Sequence, residues 1–327
     1  MGWKNLTQRS LAEAMIVPHK ALEELDEVHA LIDWSRIEAL LSDIHSSDRG
    51  ERAWPPLLMF KALLLQSWYA LSDPALEKQL ARDLLFRRFV QLDLSEPVPD
   101  HSTIWRFRQR LQEEDRMQRV LDEVNEQLSE RGIYIKTGMV SIIDASVIEA
   151  KQCRPNKTED GQNTQDPEAD WNVKAGSDGR RKSTYGFKAH LNVDEDGLIK
   201  AIEFTSGSIH DSNHFTSLLS GDESAVYADC AYASQAHENW LKQYGIESRV
   251  LKRAYRNRPL SAQDKAFNRL HSGVRSIVER VFGVLKQHYA MTKARYLGID
   301  RNRTRVERMG VAHNIKRALS IRQERYV

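Results

Sequence analysis

Gly138-Met139-Val140-Ser141-Ile142-Ile143-Asp144-Ala145-Ser146-Val147-Ile148-Glu149-Ala150 marks the point where the chain changes character. The run is rich in valine and isoleucine and reads as a buried strand. Everything between residue 21 and Gly132 has helical periodicity instead. Apolar residues recur at Leu22, Leu25, Val28, Leu31, Ile32 and again at Ile37, Leu40, Leu41, Ile44. Leu57–Leu71 reads as one helix. Ser72-Asp73-Pro74 starts another that runs to about Phe89, with a polar cap and a proline in its first turn. Asp100-His101-Ser102-Thr103 caps a short helix, Ile104–Leu111, and Glu113–Arg131 is a longer amphipathic helix that Gly132 ends.

Downstream the elements alternate. Lys151–Ser183 is a polar, irregular excursion, and a loop of that length is functional or disordered. Tyr185–Ser208 reads as a hairpin around Asp194-Glu195-Asp196-Gly197. A helix over Asp211–Leu219, a strand through Ala225-Val226-Tyr227-Ala228, a helix over Ala233–Tyr244 and a strand over Glu247–Tyr255 follow. Two helices, about Ala262–Ala290 and Thr304–Arg322, close the chain. This predicts a flexible arm (1–20), an all-α N-terminal domain (21–132) and an α/β domain (133–327), a mixed sheet flanked by helices.

The 327 residues, with 41% hydrophobic and 29% charged, have ordinary globular composition. The longest apolar patch, Leu57–Leu71, is interrupted by Lys61, Gln66 and Ser67, which excludes a membrane span there. The N-terminus has no signal-peptide core, and Cys153 and Cys230 fit two free thiols in a reducing compartment. Net charge is only +2, but it is unevenly spread. From Arg249 onward there are 20 Lys and Arg against 5 Asp and Glu; the preceding 248 residues carry 28 against 41. Such asymmetry points to a polyanionic partner, although interspersed arginines also make a solvated helix surface.

Asp144 and Asp229 each sit in an apolar run, where a lone carboxylate costs several kcal/mol, roughly, unless paired or metal-bound. Each could also be a strand-end cap or an ion-pair partner. Glu279 belongs to the helix His271–Tyr289. With Arg275 at zero, Glu279 falls at about 40° and Lys286 at about 20°, on the edge of an apolar face. An ordinary Arg275–Glu279 pair accounts for that spacing as well. Three carboxylates together would do more: two divalent ions about 3.5–4 Å apart clamp a phosphodiester, and Mg²⁺ takes oxygen ligands and keeps its waters. Arg275 and Lys286 would hold the phosphates.

At this point the ordered motifs resemble a family. Trp68-Tyr69-Ala70-Leu71-Ser72-Asp73, Pro99-Asp100-His101-Ser102-Thr103-Ile104, Ile143-Asp144-Ala145-Ser146, Gly186-Phe187-Lys188-Ala189-His190, His210-Asp211 and Ala228-Asp229-Cys230-Ala231-Tyr232 follow one another in the chain. Together with the terminal helix they resemble bacterial insertion-sequence transposases of the DDE class, insertion-sequence-five group. The signature Y-x2-R-x3-E-x6-K is met by Arg275, Glu279 and Lys286, with Ser272 in place of the tyrosine. The resemblance implies an RNase H-like core with Asp144, Asp229 and Glu279 as catalytic metal ligands for two Mg²⁺ (Mn²⁺ as substitute). It implies hydrolysis at transposon ends, then attack by the freed 3′-hydroxyl on target DNA. The partners would be double-stranded DNA and further copies of the chain, at least a dimer in the DNA complex. The setting would be the bacterial cytoplasm, at the nucleoid.

Other residues carry two readings each. Lys188 and His190 share one sheet face and would contact phosphate or metal, or lie on an exposed face. His210 would approach the scissile phosphate, with Asp211 as a simple N-cap otherwise. Trp171 and Lys174 would stack on a base and bind phosphate, or anchor their loop. Arg106 and Arg110, four apart on the short helix of a helix-turn-helix-like element in residues 55–112, would meet DNA or water. A metal-dependent nuclease without joining, and a DNA-binding regulator, are the alternative functions.

Overall fold

The computed structural model describes residues 4, 16–44, 52–133, 140–152, 166–175, 181–254 and 259–326, with only the backbone of 174, 175, 325 and 326. The chain divides into two compact units, Met1–Arg131 with Glu307–Val327, and Gly132–Val306.

The first unit is helical. Its helices are α1 (Asp26–Leu31), α2 (Trp34–Leu41), α3 (Pro56–Trp68), α4 (Asp73–Arg82), α5 (Leu84–Val90), α6 (His101–Arg110) and α7 (Arg116–Glu130). Helix α3 is buried on nearly every side, Leu58 through Ser67 included, which explains its unbroken apolar run. The expected single helix from Asp73 to Phe89 is two. Asp83 takes extended backbone between them, and its carboxylate accepts from Leu85 N and Phe86 N to start α5. The motif around Ser72-Asp73 is structural. Ser72 caps α4 through Ala75 N, and Asp73 receives both Nη atoms of buried Arg108 at 2.7 Å. Burial alone would raise the Asp73 carboxyl, but Arg108 and Gln66 outweigh it and hold it below its usual value.

The second unit holds a six-stranded sheet: β1 (Val140–Glu149), β2 (Asp170–Ala175), β3 (Arg181–Val193), β4 (Ile199–Ser206), β5 (Ala225–Ala228) and β6 (Glu247–Ser248). Strand β3 lies antiparallel between β4 and β1, while β5 is parallel to β1 and β6 to β5. The spatial order is therefore β4-β3-β1-β5-β6, with β2 extending the outer end of β3. Three antiparallel strands continued by two parallel ones, with helices α8 (Gln235–Gln243) and α9 (Ala262–His288), make an RNase H-like core. The excursion after Lys151 contains strand β2 and the start of β3 where an irregular segment was expected; its residues 153–165, Cys153 included, and 176–180 lie outside the described residues. Asp211–Leu219 forms only a 3-10 turn, Asp211–His214, and β6 is two residues instead of a full strand.

Close approach explains one motif glycine. A Cβ on Gly186 would stand 2.0 Å from Ile148 O and 2.8 Å from Ala150 N, backbone atoms at the end of β1 and just past it. Helix α10 (Ile299–Tyr326) belongs to the sheet unit up to Val306 and to the helical unit from Glu307. This differs from the expectation of one α/β domain running to 327. The reason is a set of contacts inside the helical unit: Trp68 Nε1 donates to Ala312 O at 2.9 Å, Arg308 Nε to Ser67 Oγ at 3.1 Å, and Asn314 Nδ2 to Asn125 Oδ1 at 2.8 Å. No helix among the described residues is long and apolar enough to cross a membrane.

Candidate functional site

The sheet register decides which carboxylates meet. Paired residues share a face. On one face, Ile143 pairs with Ala228 and with Asn192, over a core of Phe215, Leu218, Tyr232, Leu241 and Ile246. The other face takes Ile142 with Tyr227, and α9 lies there: His271 meets the Tyr227 ring edge-on at 5.4 Å. Asp144 and Asp229 each follow the pair Ile143–Ala228 by one residue. They thus stand side by side where the pairing of the parallel strands β1 and β5 ends, Asp144 in the middle of β1 and Asp229 just past the end of β5, turned toward α9.

Local geometry fixes both. Asp144 Oδ1 accepts from Ala145 N at 2.8 Å. Asp229 ends β5 and caps the 3-10 turn Cys230–Tyr232, accepting from Cys230 N at 2.7 Å. Glu279 is joined to this pair through Arg275. One guanidinium nitrogen donates to Asp144 Oδ2 at 3.1 Å, and the other forms a tight ion pair with Glu279 Oε1. Arg275 thus serves two carboxylates from different elements, beyond a plain pair along one helix. Lys286 is half-buried near the end of the same helix.

Tyr232 is a buried residue near the aspartates, in the core on the Ile143 face, that sequence reasoning missed. Its side chain is buried and its hydroxyl has no hydrogen-bond partner among the described residues. Burial first, then the charges of Asp144, Asp211 and Asp229, push its pKa far up. Its place in the motif Ala-Asp-Cys-Ala-Tyr was the available signal.

An all-oxygen donor set of this kind suits a hard divalent cation. As placed, Arg275 spans two of the three carboxylates, and among the described residues no three ligating side chains are grouped to hold an ion. The donor chemistry fits a metal; the grouping requires Arg275 to let go.

The other expected residues lie elsewhere. Lys188 and His190 are on the sheet face opposite Asp144 and are buried, at 6% and 0% exposure, so they present nothing to a ligand at the carboxylates. Lys188 pairs with Asp211 at 2.8 Å and donates to Ile209 O. His190 meets Thr205 Oγ1 at 2.9 Å, and burial pushes its pKa down to about 4. His210, not Asp211, caps the 3-10 turn, receiving Ser212 N on Nδ1. Trp171 is exposed on β2 and tilts against Tyr185 at 5.4 Å; the Lys174 side chain lies outside the described residues. In the helical unit Arg106 is exposed on α6, whereas Arg110 pairs with Glu113 at 3.0 Å. Cys230 is a free thiol.

Comparison with known proteins gives two family matches. A family described as a transposase domain (DUF772) covers residues 11–110, and one described as a transposase DDE domain covers residues 136–315. Among solved structures the chain is similar to the crystal structure of the Mos1 mariner paired end complex with Mn. Identity is 13%, over 97% of this chain and 93% of that one, at a TM-score of 0.21. At that score the likeness carries no argument about this chain.

Proposed function

The chain belongs to the transposase DDE domain family, whose match spans more than half of it, and on that premise we propose that it moves an insertion sequence. It binds the terminal inverted repeats in double-stranded DNA, hydrolyses the phosphodiester at each end, and joins the freed 3′-hydroxyls to target DNA. The ordered motifs support placing it in the insertion-sequence-five group. The observation that carries the reading is the convergence of Asp144 on β1 and Asp229 at the end of the neighbouring β5, with Glu279 tied to Asp144 through Arg275.

Asp144, Asp229 and Glu279 would hold two divalent cations, Mg²⁺ or Mn²⁺ in its place, which when bound activate the attacking oxygen and stabilise the leaving one. The residues of the chain do the rest. The backbone N–H bonds at Ala145 and Cys230 orient the two aspartates before substrate arrives. Arg275 and Lys286 neutralise the phosphate that approaches the carboxylates. In the first step a water oxygen attacks phosphorus and the bond to the 3′-oxygen breaks, leaving a 3′-hydroxyl on the transposon end. In the second, that hydroxyl attacks a target phosphodiester, and the target's own 3′-oxygen leaves. Neither step forms a protein–DNA bond. Because two ends must be joined, the working complex contains at least two copies, acting on DNA in the bacterial cytoplasm, at the nucleoid.

The test is cleavage and joining of DNA carrying the flanks of its own gene. Activity vanishes alike in Asp144→Ala, Asp229→Ala and Glu279→Ala; activity retained in any of the three removes that residue from the site.

A further inference from the structure

Helix α9 presents a face that the catalytic reading does not use. Taking Arg275 as zero and about 100° per residue, Lys265, Arg269 and Arg280 fall at about 80°, 120° and 140°. All three are exposed, and none forms an ion pair among the described residues. Between them the helix is low: Ser272 and Ser276 fold their hydroxyls back onto Arg269 O and Gly273 O. Gly273 lies on the same face, and an added Cβ there would meet nothing within 4 Å. Glu279 borders this face at about 40° by the same step, so the strip of cations leads directly to the carboxylates. From Lys265 to Arg280 the axis advances about 22 Å, the rise of roughly six to seven base pairs of duplex.

We propose that this face of α9 is the track on which the DNA backbone lies as it reaches the carboxylates, with Lys265, Arg269 and Arg280 each taking a phosphate. The inference rests on the transposase reading and names the surface that reading lacks. Charge complementarity selects the occupant: three cations with no ion pair among the described residues, on one ungrooved helix face continuous with a phosphodiester-cleaving site, match a phosphate backbone. Phosphate contacts carry no sequence information, so the track positions any duplex and leaves sequence reading to other surfaces.

The experiment is a salt titration of full-length protein binding, by fluorescence anisotropy. The probes are a labelled random-sequence duplex and a duplex carrying the flanks of its gene. In wild type the affinity falls steeply with salt. The triple variant K265Q/R269Q/R280Q loses about 0.9 from the log–log slope per cation, about 2.7 in all, on both duplexes equally and with an unchanged melting temperature. K265R/R269K/R280K keeps the slope. Asp144→Asn with Asp229→Asn keeps the slope and abolishes cleavage. A full slope in the folded Gln triple variant, or a loss confined to the flank duplex, overturns the track while leaving the transposase reading intact. Wild type that binds neither duplex overturns both.

Discussion

Arg275 is where charge, geometry and chemistry meet at the scale of a residue. It bridges Asp144 and Glu279, so a cation entering the site must take over its place. Partly exposed ion pairs contribute up to about 1 kcal/mol, which corresponds to roughly fivefold in an equilibrium constant. Arg275→Gln is therefore expected to bind Mn²⁺ several-fold more tightly than wild type in the absence of DNA. Electron paramagnetic resonance titration of free Mn²⁺ checks this, and equal or weaker binding would show that Arg275 does not compete. A second residue, Asp194, is buried in the β3–β4 turn. It accepts Leu198 N on one oxygen, while the other oxygen has no partner among the described residues. Burial pushes its pKa up to about 6. A folded value raised above the unfolded one means that stability falls as pH rises from about 4 to about 6 and then stays reduced. Asp194→Asn keeps the acceptor, removes that slope and stabilises the protein at pH 7 by on the order of 2–3 kcal/mol, measurable by urea denaturation at pH 4.5 and 7. The aspartates of the site were visible in the sequence because each interrupts an apolar run. The Lys188–Asp211 pair and the buried Tyr232 hydroxyl were not, since their partners depend on which sheet face each residue takes after the strands have paired.

Elements were legible where local chemistry is strong and illegible where tertiary pairing decides. The cap at Ser72 and the Asp-Gly turn at Asp196-Gly197 could be read directly, because side-chain capping and positive φ are local demands. Strand β6 shrank to two residues, and Asp83 broke a helix that apolar spacing alone ran through. The role of Gly186 belongs to this scale as well. A Cβ there would overlap backbone atoms at the end of the neighbouring strand and just past it, and no rotamer change relieves it. Gly186→Ala is expected to destabilise on the order of 3 kcal/mol, seen as a lowered denaturant midpoint. Gly273→Ala, on an open helix face, is expected to stabilise by about 0.5–1 kcal/mol. Similar effects from the two would contradict the close packing of β3 on β1.

For the whole molecule, the uneven charge was the sequence feature that reached furthest. The basic excess after Arg249 includes Lys265, Arg269, Arg275, Arg280 and Lys286 of α9. Part of that excess has another use. Arg305 donates to Ala290 O and Lys293 O, and Arg308 to Ser67, inside the two units. Composition counted these as surface charge because it cannot see burial. The motifs of the helical unit were likewise legible as motifs, yet Asp73 and Arg108 proved to be a buried ion pair within it. The strand order, three antiparallel strands followed by two parallel ones, is what turns two distant aspartates into neighbours, and the family match over residues 136–315 agrees with it. The most direct test of the central claim is a strand-transfer assay with purified protein, Mg²⁺ and DNA bearing the flanks of its gene, run beside Asp229→Ala. Joined products from wild type alone are the predicted result; equal products from Asp229→Ala would contradict the assignment.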